Sequence, residues 1–316
     1  MVGLKNKRVP HTDFQILLFM TSLCCICGLL LSVIAYLLHT PQEEAKNFDQ
    51  SRQMLIAAKI LNNTGYFEIF DEATEKITPA QYDHHQNILI EVEGEPPIAS
   101  DEEIKELANA RIRPLLTTIK GEISTLEEQK VILSDYLEKH HQTGYASLPY
   151  KLFYAILPNE SNAMEVTSEE VIKDLKKISV FVIPVSGFGL WGPIYGYLAL
   201  NPHNDKVIGT TWYEHAETPG LGANIGEPWW QKQFFGKEIF QASVDGNPDL
   251  QTSDMGIIVV KGKVSDVYRD SPKARSAVDG ISGATLTGDG VTAAYKNSLT
   301  PYREFLIKYK ENTSND

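Results

Sequence analysis

The sequence has few cysteines and few basic residues for its length. Its 316 residues include three cysteines, none of them after Cys27, so most of the chain cannot form an internal disulfide. Lys and Arg number 29 against 41 Asp and Glu, which gives a formal net charge of −12. A molecule of that sign repels polyanions, and we therefore exclude nucleic acid as a partner. With 42% hydrophobic residues, the chain can still bury a folded core.

One long apolar run stands out from this polar composition. Residues 14–38 carry no charge, and as a helix they would span about 37 Å, against about 30 Å for the hydrocarbon core of a bilayer. Basic residues dominate before the run and acidic residues after it, up to residue 50. By the positive-inside rule, residues 1–13 form a cytoplasmic tail, residues 14–38 a single transmembrane helix, and the rest is exported.

A cleaved signal peptide is the competing interpretation of this run. Its apolar region would span about 7 to 15 residues and end at a small-x-small site, whereas the run here is longer and ends in Leu37-Leu38-His39. We therefore favour an uncleaved anchor. Cys24, Cys25 and Cys27 lie inside the run and point around the helix. A closed metal site needs about four convergent ligands, so we interpret these cysteines as apolar packing and predict no metal site.

The exported part divides by its composition. Residues 39–177 are polar and helix-prone, with helices predicted at 44–61, from a capping box at Ser100 to before Pro114, and at 125–140. We assign this region no role. The histidine pairs at 84–85 and 140–141 are interpreted as solvated polar residues, because adjacent side chains point to different faces.

Residues 178–316 differ from the preceding region. Apolar, β-branched runs at 179–185, 194–200, 206–213 and 256–261 alternate with Gly-rich loops, and the first three are too close together for helical crossovers. They predict an antiparallel sheet with flanking helices, so the fold class is α+β behind one transmembrane helix. An aromatic-rich turn at 229–236 is expected to pack on this sheet.

The segment Val278-Asp-Gly-Ile-Ser-Gly-Ala-Thr285 carries the chemistry. Small residues precede Thr285, and a helical pattern starts with Val291, after Gly288-Asp-Gly290. The sequence therefore predicts that Thr285 lies just before a helix N-terminus, where free backbone N–H groups stabilise a phosphate.

These residues resemble a known family. Asp279-x-x-Ser282-Gly-Ala-Thr285 is similar to the flavinylation motif of the FMN-binding domain family, in which the final threonine carries FMN through a phosphoester. Three more segments, Gly189-Leu-Trp191, Glu217-Thr-Pro-Gly-Leu-Gly222 and Val260-Lys-Gly-Lys263, resemble the NqrC family of sodium-translocating NADH:quinone reductases in the same order. Ala216 and Ala223 depart from the family, which tends to have glycine there.

The resemblance implies that the chain is a subunit of a membrane respiratory complex. The subunit alone is expected to have no enzymatic activity. Residues 178–316 would be the FMN-binding domain, with FMN made covalent by a separate, Mg-dependent flavin transferase. Single electrons would pass from an iron–sulfur centre to a flavin on NqrB, while the other subunits of the Nqr complex (NqrA, NqrB, NqrD, NqrE and NqrF) bind NADH, ubiquinone and sodium. The location would be a bacterial inner membrane. The candidate cofactor-binding residues are Thr285, Ser282, Gly283, Ala284, Asp279, Leu190, Trp191, Glu217, Thr218, Gly220, Leu221 and Lys263.

Several alternatives remain at this point. The Ser282–Thr285 segment could be an ordinary cap, and Gly280-Ile-Ser-Gly-Ala284 approximates the nucleophile elbow of a serine hydrolase. For Trp191 and Tyr195, we favour a place in the hydrophobic core over stacking on a flavin. At the level of the whole chain, the corresponding subunit of an Rnf-type ferredoxin:NAD complex and a non-redox, membrane-anchored assembly module are the alternatives.

Overall fold

The computed structural model describes residues 13–71, 74, 76–243 and 246–314. They fall into two units, one that ends at Gln50 and one that starts at Ser51. The predicted cytoplasmic tail lies outside the described residues, apart from Asp13.

Helix α1 runs from Asp13 to Ala57 and includes the whole predicted transmembrane segment. By length and composition, it is able to cross a membrane. Its large apolar side chains between residues 14 and 38 are exposed, as a lipid-facing surface requires. The helix ends earlier than the predicted 62–65, because Lys59 adopts a left-handed φ of 57°. Its last residues, 54–57, are buried in the core of the second unit.

The second unit begins with a small sheet and a capped helix. Strands β1 (Phe67–Asp71), β2 (Lys76–Asp83) and β3 (Ile88–Glu91) pair antiparallel in that order. Helix α2 (Asp101–Arg111) starts with the predicted capping box, in which Ser100 N donates to Glu103 Oε2 at 2.7 Å and Glu103 N donates to Ser100 Oγ at 3.2 Å. The chain then extends directly into a strand that contains Pro114, which ends the helix.

A six-stranded antiparallel sheet is the framework of the fold. Its order is β5-β4-β6-β7-β8-β9, with bounds β4 (Ile112–Thr117), β5 (Ile123–Ser124), β6 (Lys151–Ile156), β7 (Val180–Phe188), β8 (Pro193–Leu200) and β9 (Val207–Glu214). Three of the four β-branched runs thus form adjacent strands, as predicted. The α+β class with an antiparallel sheet is confirmed.

Strands from both sides of position 177 share this sheet. The prediction of a mainly helical region before residue 178 is therefore wrong, and the boundary at 177/178 does not divide the second unit. Strand β6 is buried at all six positions, and only its first residue, Lys151, is charged, so the alternation of apolar and polar residues typical of a half-exposed strand is absent there. The helix predicted at 125–140 is reduced to α3 (Leu133–His140), because Lys130 has a left-handed φ of 55° and interrupts it. Helix α4 (Ser168–Lys173) follows.

The fourth β-branched run does not join the large sheet. Only β10 (Ile258–Val259) is a strand, and it pairs in parallel with β11 (Ala277–Val278). The run is cut short because Gly256 and Gly262 have left-handed φ values of 113° and 98°. The remaining helices are α5 (Pro228–Gln231), α6 (Val264–Val267), α7 (Thr285–Leu299) and α8 (Arg303–Ser314).

Helix α7 packs against β7 at very short distance. A Cβ atom on Gly187 would lie 2.5 Å from Ala294 Cβ, so only glycine allows this approach. Tyr295, on the same helix, is fully buried, and its hydroxyl lies 2.8 Å from Thr210 Oγ1 and 3.1 Å from Trp212 Nε1. The third turn of α7 is thereby fixed on the sheet.

Candidate functional site

A cavity of about 410 Å³ opens beside the first turn of α7. Its walls are the segment 259–263, the loop 279–284, the start of α7 and the end of α5. Two of its lining residues are an aromatic and a hydroxyl side chain: the indole of Trp229 is half exposed, and Thr285 is exposed.

Thr285 is the first residue of α7, and not the residue before it, as the sequence predicted. The two glycines that were interpreted as preceding the helix lie inside it. A Cβ on Gly290 would lie 2.1 Å from the Phe188 carbonyl oxygen, and one on Gly288 would lie 3.0 Å from Val259 Cγ1. These glycines therefore serve close packing, and the helix starts one turn earlier.

The position of Thr285 suits an anion. It is exposed and lies on the cavity wall, and its hydroxyl forms no hydrogen bond with any residue that the structure describes. The first intrahelical bond runs from Gly288 N to Ala284 O at 3.0 Å. The N–H groups before Gly288 are thus available at the positive end of the helix dipole.

The approach to Thr285 depends on glycine. Gly283 has a left-handed φ of 76°, and a Cβ there would lie 2.9 Å from Leu221 Cδ2. A Cβ on Gly280 would lie 2.2 Å from the Val260 carbonyl oxygen. Larger residues at these two positions would narrow the cavity and separate its walls.

Glu217 joins the loop 217–222 to two other segments. Its carboxylate is buried and accepts hydrogen bonds from Thr287 Oγ1 at 2.5 Å and from Trp191 N at 3.0 Å. Trp191 Nε1 also donates to Thr218 Oγ1 at 3.0 Å. The loops that carry two of the resembling motifs are therefore fastened to α7, two residues beyond Thr285.

The predicted site residues form two groups in space. Six line the cavity: Lys263, Asp279, Ser282, Gly283, Ala284 and Thr285. The other six lie outside it, on the loops fastened by the Glu217 carboxylate: Leu190, Trp191, Glu217, Thr218, Gly220 and Leu221. Leu221 connects the groups through its contact with Gly283.

Asp279 holds the walls of the cavity in place. Its carboxylate accepts a hydrogen bond from Val264 N at 2.7 Å, which fixes the start of α6. Its backbone carbonyl accepts one from Trp230 Nε1 at 2.9 Å, and its backbone N–H donates to Gln233 Oε1 at 3.1 Å. The residue thus positions three segments of the site.

The loops held by Glu217 and the first turn of α7 carry exposed apolar side chains, which we call the apolar rim: Leu190, Trp191, Leu221 and Leu286. Trp191 is 67% exposed, so its interpretation as a core residue is wrong. The three leucines are between 42% and 61% exposed. Sequence reasoning missed Trp229 and Gln233 as cavity residues. The adjacent tryptophans were a usable sequence signal, because neighbouring side chains point to different faces and only one of the two can be buried. The structure buries Trp230 and leaves Trp229 at the cavity.

Two lysines, Lys261 and Lys263, and two aspartates, Asp279 and Asp289, line the cavity. Lys261 Nζ lies 3.8 Å from Asp289 Oδ2, and both side chains are mostly exposed. A surface pair of this kind contributes little to stability, so the ammonium group can turn toward an anion in the cavity. None of the described residues that line the cavity is a histidine, and Ser282 therefore lacks the neighbouring base that a serine hydrolase needs.

One histidine of the predicted solvated pairs is packed instead. The ring of His141 stacks on that of Tyr195 with centroids 4.0 Å apart, and its Nε2 lies 3.4 Å from Glu214 Oε2. The interpretation as a solvated residue is wrong for His141. His84 agrees with the interpretation as a solvated residue, because its side chain is 63% exposed; its Nε2 lies 3.3 Å from Glu103 Oε1.

Comparisons with known proteins identify related chains. A family model described as FMN-binding domain matches residues 189–300. The NqrC subunit of the Na(+)-translocating NADH-quinone reductase of Chlamydia caviae is 41% identical over 313 residues, which cover 98% of each chain. The same subunit of the Chlamydia pneumoniae reductase is 42% identical, covering 97% of this chain and 95% of its own.

Two solved structures share the fold. NqrC from Shewanella oneidensis superposes with a TM-score of 0.52 at 22% identity, over 84% of this chain and 99% of that one. The corresponding subunit of the Na(+)-translocating NADH-quinone reductase from Parabacteroides distasonis gives a TM-score of 0.50 at 22% identity, over 85% of this chain and 96% of the other.

Proposed function

The chain belongs to the NqrC family, a subunit family of the Na(+)-translocating NADH-quinone reductase, and from this premise we propose that its second unit carries FMN covalently on Thr285 and relays single electrons within that complex. The observation that carries the proposal is the unbonded Thr285 hydroxyl at the N-terminus of α7, on the wall of a 410 Å³ cavity. Identity over the whole chain favours this complex over an Rnf-type complex.

The residues present fit FMN. The N–H groups of the first turn of α7 and the Lys261 and Lys263 ammonium groups suit its phosphate, and Trp229 and the exposed rim offer apolar surface to its planar ring. Gly280 and Gly283 keep the path to the hydroxyl open. When bound, FMN supplies the capacity to take up and release electrons one at a time.

The covalent link requires a reactive hydroxyl and little else from this chain. Thr285 Oγ would form a phosphoester with the FMN phosphate of FAD, the diphosphate bond of FAD would break, and AMP and a proton would leave. A separate flavin transferase would catalyse this step. The chain's own part is to present the hydroxyl beyond the small residues 282–284, with no competing hydrogen bond.

The remaining site residues are positioning groups. Glu217 fixes the loops that bear Leu190, Trp191 and Leu221, while Asp279 holds α5 and the start of α6 in place. The apolar rim then stays in place without side-chain acid–base chemistry. We propose that this rim faces the redox partners, and that electrons arrive from an iron–sulfur centre and leave toward a flavin of NqrB.

Co-purification tests the assignment to this complex. The affinity-tagged chain, extracted with mild detergent, is expected to bring down an NADH-oxidising subunit and quinone reductase activity. Recovery with a ferredoxin-oxidising complex would contradict the assignment to the sodium pump. A matched tag on an unrelated single-pass protein provides the control.

We also propose that the N-terminus faces the cytoplasm of a bacterial inner membrane and that the second unit lies outside. The native cysteines all lie within the apolar segment of α1, so a Glu160→Cys variant adds one exposed thiol. A membrane-impermeant maleimide is expected to label this variant, but not the parent, in cells with an intact inner membrane. Labelling only after that membrane is broken would show the opposite orientation, with the second unit in the cytoplasm.

A further inference from the structure

A buried arginine, which is not part of the Thr285 cavity, lies at the end of α2. Arg111 is 7% exposed. Its Nε donates to the Leu157 carbonyl oxygen at 2.8 Å, and Leu157 N donates back to the Arg111 carbonyl oxygen at 2.8 Å. These two bonds fix the direction of the side chain.

The terminal nitrogens of Arg111 have no acceptor among the residues that the structure describes. The contrast with Arg113, two residues along the chain, is clear. Arg113 donates from Nε and both terminal nitrogens to four backbone carbonyls, at 2.8 to 3.0 Å. Arg113 is thus a satisfied structural residue, whereas Arg111 keeps two nitrogens for another partner.

Arg111 lines a second cavity, of about 180 Å³. The cavity lies between the start of β7, strand β1 and the residues just after α1. Its apolar walls include Ile60, Phe70 and Val180, and its polar lining includes Ser179 and Asn159. Both amide atoms of Asn159 are engaged with the Leu89 backbone, so they do not compete for the guanidinium.

The carboxylate in this lining, Glu68, is not the counter-ion of Arg111. No ion pair within 4 Å joins these two described residues, and Glu68 Oε1 accepts from Asn62 Nδ2 at 3.1 Å. Its negative charge instead acts on Lys59: burial lowers the pKa of Lys59, and Glu68 partly opposes this shift. Burial alone lowers the pKa of Arg111, to about 10, so the guanidinium remains charged near neutral pH.

We propose that this cavity binds a small oxyanion, a phosphate or a carboxylate, held by the two terminal nitrogens of Arg111. A buried cation is costly unless it is paired, and the planar fork of a guanidinium matches two oxygens of such an anion. Ser179 Oγ donates to the Ile156 carbonyl oxygen at 3.0 Å, which fixes the part of the cavity wall at the start of β7. The site does not depend on FMN or on Thr285.

Thermal unfolding of the detergent-solubilised full chain tests the proposal. Phosphate, titrated at constant ionic strength against chloride, is expected to raise Tm by about 5–10 °C at 100 times its Kd. Acetate in a parallel titration distinguishes a carboxylate site from a phosphate site. The proposal is overturned if neither anion raises Tm above the chloride baseline.

Matched variants assign the effect to Arg111. Arg111→Met should abolish the anion-dependent rise in Tm. Arg113→Met should lower Tm, through lost hydrogen bonds, yet keep the rise. Equal rises in the parent and in Arg111→Met would place the anion elsewhere.

Arg111→Lys covers the case in which Arg111→Met fails to fold. It keeps the charge and most of the stem, but a single ammonium cannot replace the bidentate fork. Calorimetric titration with phosphate is expected to give an affinity at least about 10-fold lower than that of the parent. An unchanged affinity would contradict the proposed contact.

Discussion

Replacing Thr285 by valine is expected to remove all covalently bound flavin from the chain while the fold is kept. Valine has the same shape without the hydroxyl, and the site is exposed at the first position of α7. A surface change of this kind costs less than about 0.5 kcal/mol of unfolding free energy. The measurement is in-gel flavin fluorescence after denaturing electrophoresis, which detects only covalent flavin, in cells that also express a flavin transferase.

Ser282 provides the matched control for this experiment. It is the other exposed hydroxyl on the cavity wall, three residues before Thr285. Ser282→Ala is expected to keep in-gel fluorescence, because its hydroxyl is not the proposed attachment point. Fluorescence that persists in Thr285→Val and disappears in Ser282→Ala would show that Ser282 is the attachment point.

Replacing Glu217 by alanine is expected to lower the free energy of unfolding by about 2–4 kcal/mol. The change removes the acceptor for the buried Thr287 hydroxyl and for Trp191 N. The two loops then lose their connection to α7, so covalent flavin content should fall as well. Urea unfolding followed by tryptophan fluorescence gives the first quantity, and in-gel fluorescence gives the second.

Two further variants show whether the carboxylate acts through these bonds. Glu217→Gln keeps one acceptor oxygen and an amide that can donate to Thr287 Oγ1, so a loss of about 1 kcal/mol is expected. Glu227 is exposed, and its side chain makes no capping bond. Glu227→Ala should therefore leave stability within about 0.5 kcal/mol. Equal losses of unfolding free energy in Glu217→Ala and Glu227→Ala would contradict the proposal that Glu217 holds the two loops to α7.

The local patterns of the sequence predicted the central sheet well. The three runs that became β7, β8 and β9 are separated by short turns and pair as neighbours. The capping box at Ser100 also specified the start of α2 by itself. In both cases the information lies within a few residues, which is the range that periodicity and capping rules cover.

Features that depend on distant contacts could not be predicted in this way. The Glu217–Thr287 bond joins residues 70 positions apart. The sequence predicted that α7 starts after Gly290, because nothing in the sequence shows that the Phe188 carbonyl would fill the space of a side chain at this position. Likewise, the difference between Arg111 and Arg113 depends on which carbonyls the tertiary fold brings within reach.

A mass spectrum of the intact chain, purified from its native membrane, tests the central claim most directly. The account predicts an added mass of one FMN less one water, and peptide fragmentation should assign it to Thr285. An unmodified chain, or the same mass on a different residue, would contradict it.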